Sequence, residues 1–377
     1  MLRLRDSRSI TLRQVPLLLL LAALLSSAAV QAASPNFDHK RLAETARTKY
    51  ILPGYQALNT VLGKLSEALQ NLCQRPSEAQ LKSTRMLFVG VVSAWGRIES
   101  IRFGPVVADN RFERIFYWPD RKGRGARQVR RLLAAKDEPA LRPGGLAKKS
   151  VAVQGVSALE IALFGKNSEV LADDSTYRCR YAVAIVQNLS EVTTEIISAW
   201  SRDGAFEKVW RSAGEAGNQV YLKPSEVTLD IVSAFDIGLQ NLYDLRLAPM
   251  AGLGKITKQR QRPPLTRSRT TMALIGANLE GLEDLLFGGG LAEAFIASSQ
   301  QRIGREADLL ASARDEFRLT RKSVRSLTTS FGQLSPPDQK AAIVPIAFAA
   351  ANIRQNVVGE IKAAAGLSLG FNASDGD

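Results

Sequence analysis

Apolar residues recur at helical spacing along nearly the whole chain, and this periodicity leaves few fold classes open. Leu58, Leu62, Leu65, Leu69 and Leu72 mark one face of a helix, and Ala182, Ile185, Leu189, Val192, Ile196 and Ala199 mark another. The pattern returns late in the chain. Leu310, Ala313, Phe317, Val324, Leu327 and Phe331 form one stripe and Ile346, Ala350, Ile353, Val357 and Ile361 a second, with Ser335-Pro336-Pro337 as the breaker between them. Convincing two-residue alternation is missing, so strands are not expected. Long amphipathic helices burying these stripes against one another imply an all-α fold of helical bundles.

The N-terminus reads as an export signal. Arg3, Arg5, Arg8 and Arg13 precede the apolar run VPLLLLLAALL, and small residues lead to the step Val30-Gln31-Ala32. Cleavage after Ala32 would leave a periplasmic chain without a retained transmembrane anchor, which needs about 20 apolar residues. Removing the leader lowers the net charge from +14 to +11. Such a basic chain suits anionic envelope surfaces or acidic ligands, and export argues against nucleic acid as partner. Length beyond the leader suggests two cores. The expected division is a signal peptide at 1–32, one four-helix bundle at 33–202 and a second at 203–377.

The first bundle is expected to use helices near 36–74, 77–102, 155–166 and 174–200, the second 203–248, 269–300, 302–334 and 337–366. A long connection, 103–154, carries RFERIFYWPD and the basic stretch RKGRGARQVRR, and connections of this length are usually functional or disordered. A second linker, KITKQRQRPPLTRSR at 255–269, holds six basic residues and no acid. Each basic run is either a solvated face or a surface for anions or partners. ALEIALFG at 158–165 echoes GLEDLLFG at 281–288, which fits either a duplicated unit or two helices stopped by glycine.

The two cysteines fall at informative places. Cys73 ends the first helix and Cys179 opens the fourth, and an up-down-up-down bundle brings those ends together. A disulfide is therefore geometrically reasonable in an oxidising compartment, with two unpaired buried thiols as the alternative.

Several chemistries are poorly supplied. His39 is the only histidine, which excludes HExxH and any two-histidine zinc site within the chain. No GxSxG elbow, GxGxxG or phosphate-binding loop occurs. The tail residues Asn372, Asp375 and Asp377 resemble oxygen ligands but fall short of a calcium loop.

The succession SAWGRIESIRFGPV, RFERIFYWPDRKGRGARQV, GVSALEIALFG, YRCRYAVAIVQNLSEVTTEIISAW and GLSLGFNASDGD resembles the imelysin-like family of bacterial periplasmic proteins over essentially all of the chain past its leader. The resemblance implies two helical bundles related by duplication, a site near their interface and a link to iron acquisition. Peptidase activity has also been attributed to the family. Its signature is Gly-x-His-x-x-Glu, and Gly155, Ser157 and Glu160 fill the three slots, so serine stands in place of the histidine.

Histidine and glutamate at i and i+3 share a helix face and can share a metal. A serine hydroxyl is a much poorer ligand and a poor base. Glu160 alone remains as a candidate ligand for iron or another hard cation. Around it, Asp120 of the WPD turn and Trp95, Tyr117 and Trp118 are candidate pocket walls, with Arg102 or Arg121 as anionic anchor. Each has a structural rival: packing for the tryptophans, a turn or cap for Asp120, and pairing with an arginine such as Arg114 for Glu160. No catalytic residue is assigned. The expected function is a non-catalytic binding or accessory protein tied to iron or haem acquisition, whose partners are uptake components or a small anionic ligand. The alternative is a hydrolase that uses carboxylates without the histidine.

Overall fold

The computed structural model describes residues 37–120, 122–173, 176–253, 263–298 and 303–367. The leader 1–32, Arg121, most of the second basic linker and the tail with Asn372, Asp375 and Asp377 lie outside the described residues. Among the described residues every regular element is helical, as the apolar spacing predicts. The first half contains α1 (His39–Ala46), α2 (Leu52–Gln74), α3 (Glu78–Ile98), α4 (Arg111–Ile115), α5 (Arg124–Ala135), α6 (Val156–Phe164) and α7 (Tyr177–Trp200). The second half contains α8 (Ala205–Arg211), α9 (Pro224–Asn241), α10 (Ala248–Ala251), α11 (Thr271–Phe287), α12 (Leu291–Ser298), α13 (Ile303–Ser330), α14 (Pro336–Ile353) and α15 (Gly359–Ala364).

The leucine stripe of α2 is buried from Leu58 to Leu72 against α3 and α7. In α7 the stripe from Ala182 to Ile196 is buried, as are Phe317 and Val324 of α13 and Ile346, Ala350 and Ile353 of α14. The segment 336–364 is long and apolar enough to cross a bilayer, with mean hydropathy 1.3, yet these stripe residues and Ile343 pack inside the protein. Helices α3 and α11 pack together, so the core runs on from the first half into the second.

Local structure departs from the expected helices in four ways. The span 269–300 is broken between α11 and α12, where Gly290 takes a φ of 92°. The span 203–248 is broken after α8, where Gly214 and Gly217 take positive φ values of 82° and 95° and Pro224 starts α9. Three long helices contain a wide π turn, at Arg47–Ile51, Leu242–Leu247 and Arg354–Val358. Pro53 and Pro249 follow the first two by two residues, where a missing N–H disturbs regular helix bonding. The connection 103–154 is folded: Phe112, Ile115 and Phe116 are buried, and α5 lies across α6 with Val129 and Leu132 inward.

The cysteine pairing forms. Cys73 at the end of α2 and Cys179 in the first turn of α7 are disulfide-bonded with Cα atoms 5.7 Å apart, and the unpaired alternative falls away.

Candidate functional site

The motif GVSALE lies at the start of α6. Gly155 is required there by close approach, since a Cβ would sit 2.3 Å from the carbonyl oxygen of Ile115. Ser157 Oγ donates to the carbonyl of Tyr117 at 3.0 Å, tying α6 to the irregular segment that follows α4. Glu160 is buried, and its Oε1 accepts from the backbone N–H and the hydroxyl of Ser268 at 2.9 and 3.0 Å. Arg267 Nη1 stands 3.5 Å from Oε2. The arginine partner is thus Arg267; Arg114 instead donates to Gln154 and Asn188.

Arg267 and Ser268 belong to the loop 263–270, in which Leu265 and Arg269 take positive φ values of 56° and 58°. Non-glycine residues hold this conformation only where surroundings over-determine it, and the bonds to Glu160 are part of that hold. The donor set does not fit a resident metal. Among the described residues no three His, Cys, Asp or Glu side chains converge, and the single carboxylate of the motif already faces a guanidinium.

The remaining candidates separate. Asp120 caps α5, accepting from the backbone N–H groups of Arg124, Gly125 and Ala126 at 2.7, 3.0 and 3.3 Å. Trp95 is fully buried against Phe112 and Phe116, a packing role. Tyr117 contributes its carbonyl to Ser157, while Arg121 lies outside the described residues. Arg102 and Trp118 come together around a different centre.

That centre is a narrow polar cleft where α3 meets α9, the second π turn and α11, lined by Gly96, Glu99, Arg102, Gly238, Arg246 and Asn278. Arg246 Nη2 donates to Glu99 Oε1 at 2.6 Å, and both side chains are about 5% exposed. Asn278 Nδ2 donates to Glu99 Oε2 and to the carbonyl of Gly96, both at 2.9 Å. Trp118 covers the Arg246 guanidinium, 4.9 Å from ring centroid to Cζ. Arg102 lies 4.0 Å from the ring centroid of Phe112 and forms no ion pair among the described residues. Loss of solvation around its head group lowers its pKa, Glu99 opposes that shift and Arg246 adds to it.

Two buried atoms in this cleft have no hydrogen-bond partner among the described residues, Arg246 Nε and Asn278 Oδ1. A donor and an acceptor left open together form a seat for a small polar group. Sequence reasoning missed Glu99, Arg246 and Asn278. Their only signal is a polar side chain on an otherwise apolar helical stripe, as with Asn278 in TMALIGANLEGL.

Comparison with known proteins agrees with this architecture. Residues 51–353 match the family model Imelysin (Peptidase_M75). The iron-regulated protein A of Synechococcus elongatus is 22% identical over 301 residues, covering 78% of each chain. An imelysin-like protein from Psychrobacter arcticus superposes with a TM-score of 0.70 at 20% identity, covering 88% of this chain and 97% of that one. An iron-regulated protein A precursor from Parabacteroides distasonis gives 0.68 at 11% identity, covering 89% and 97%. With its family model matched over most of its length and its helices arranged as in these relatives, the chain belongs to the imelysin family.

Proposed function

We infer that this imelysin-like protein is a non-catalytic binding or accessory protein of the bacterial periplasm, serving iron or haem acquisition, and that it holds a small anionic ligand at the Glu99–Arg246 cleft. The observation that carries the reading is the open pair Arg246 Nε and Asn278 Oδ1, buried beside the unpaired guanidinium of Arg102. A carboxylate or comparable anion answers Arg102 and Arg246, and a guanidinium fork is suited to such groups. The link to iron rests on the names of the relatives, two of which are iron-regulated, and the export reading on the leader and on the precursor form of one of them.

Glu160 supports the non-catalytic side of this reading. Its carboxylate satisfies Ser268 and Arg267 across the fold, and Ser157 satisfies a backbone carbonyl, so the motif acts as a brace. Formate, citrate and ferric citrate titrated into the protein, with Trp fluorescence as readout, test the site. Saturable binding of at least one probe, weakened about tenfold or more by Arg102→Gln, is the expected result. Binding of none, or equal binding by the variant, rejects the cleft. Stoichiometric zinc with peptidase activity lost on chelation would return the hydrolase reading.

A further inference from the structure

The helix α5 carries an arrangement that its own stability does not explain. Arg124, Arg127, Arg130 and Arg131 all project from the face opposite Gly125, Val129 and Leu132, which are buried, and exposed Lys122 precedes them. Arg127 stands at i+3 from Arg124 and at i−3 and i−4 from Arg130 and Arg131, so like charges share one helix face and repel. The first turn carries no acidic side chain of its own, and the helix dipole is met only by Asp120 at the N-terminus, away from the arginine face. The nearby carboxylates are engaged elsewhere. Asp120 accepts from three backbone N–H groups, Asp137 pairs with Lys149 at 2.7 Å and Glu138 with Arg180 at 2.7 Å. None of the five cations forms an ion pair among the described residues.

We propose that this face docks electrostatically on an anionic phospholipid bilayer. The four arginines lie along about 10 Å of one ordered helix and line none of its pockets, which fits a surface of several headgroups better than one small anion. The apolar face of α5 is used inside the protein, so docking is by charge without insertion. No aromatic residue interrupts RGARQVRRLLAA, so base stacking, which single-stranded nucleic acid would use, is not offered. This surface is separate from the Glu99–Arg246 cleft and does not depend on the ligand held there.

Co-sedimentation with vesicles of phosphatidylglycerol and phosphatidylcholine, compared with phosphatidylcholine alone, tests the proposal in the purified full chain. Binding is expected only with the anionic vesicles and should fall steeply as salt is raised. Arg127→Glu, Arg130→Glu and Arg131→Glu together should weaken it at least about a hundredfold. The control combines Lys64→Glu, Arg75→Glu and Lys82→Glu, exposed positions on α2, α3 and the turn between them, with the same change in net charge. Circular dichroism verifies that both variants remain helical. Retained binding by the control supports docking through α5. Equal losses in the two variants, no binding to anionic vesicles at low salt, or binding to a soluble polyanion such as heparin without vesicle binding would each overturn it.

Discussion

At the scale of single residues, several polar groups tie distant segments together. His39 Nδ1 lies 2.8 Å from Thr228 Oγ1, and partial burial lowers the imidazole pKa below 6.5 while Asp38 opposes the shift. The folded state therefore binds fewer protons than the unfolded chain in this window. The resulting stability is fully present above about pH 6.5 and is lost as pH falls through the lower folded value. Because His39 is the only histidine, its ring protons titrate alone in NMR, and a midpoint at or above 6.5 would contradict the assignment. Glu160 sets a second expectation. Ser157→His restores the signature spelling, but Arg267 and Ser268 still occupy the carboxylate, so the single variant should gain little affinity for cobalt or zinc by calorimetry. Adding Arg267→Ala should then raise that affinity about tenfold or more; tight binding by the single variant would mean the brace gives way easily. Glu160→Ala, which removes a charged acceptor from two Ser268 donors, should cost about 1–3 kcal/mol in denaturant unfolding.

At the scale of elements, the disulfide ties the end of α2 to the start of α7. Cys73 and Cys179 are 106 residues apart, so the bond removes a long loop's freedom from the unfolded chain. Replacing both by serine should lower unfolding free energy by about 2–5 kcal/mol, and thiol titration of the denatured, unreduced protein should find no free thiol. This pairing was legible because the apolar stripes fix helix order, and an up-down-up-down arrangement brings the end of the first long helix to the start of the fourth. The stripes of α2, α7, α13 and α14 were legible for the same reason: burial of one face repeats every three to four residues. The π turns were not, because a local widening of helix bonding leaves the hydrophobic period almost unchanged. Nor was the folding of 103–154: buried Phe112, Ile115 and Phe116 keep helical spacing, but over little more than one turn, too short a run to mark an element. The motif at 155–160 was readable as a sequence, yet its partners Ser268 and Arg267 lie over a hundred residues away. The polar cleft depends on three separate helices meeting, which no local pattern encodes.

At the scale of the whole molecule, ties between the two halves outnumber what a loose linkage of independent bundles would need. Trp210 Nε1 donates to the carbonyl of Ala43 at 3.0 Å, Trp200 packs edge-on against Trp210 with centroids 5.1 Å apart, and the Glu99–Arg246 pair is buried between α3 and the second π turn. The tightest approach is the crossing of α3 and α11. A Cβ on Gly281 would lie 1.9 Å from the carbonyl oxygen of Arg97, and one on Gly96 would lie 2.7 Å from the Cβ of Ala277. Backbone carbonyls cannot rotate aside as a flexible side chain can, so the helices must separate to admit even one methyl group. Alanine has the better helix propensity by about 1 kcal/mol, but overpacking at a helix crossing costs about 1–3 kcal/mol and here it strikes backbone. Gly281→Ala should therefore lower stability, and because Asn278 sits one turn away, it should also weaken whatever the Glu99–Arg246 cleft binds. Calorimetry is expected to give one cooperative transition for the wild-type protein and one at lower temperature for the variant. Two resolved transitions in the wild type, or a variant that melts unchanged, would show that residues 33–202 and 203–377 hold their structure as independent bundles and that the crossing does not couple them.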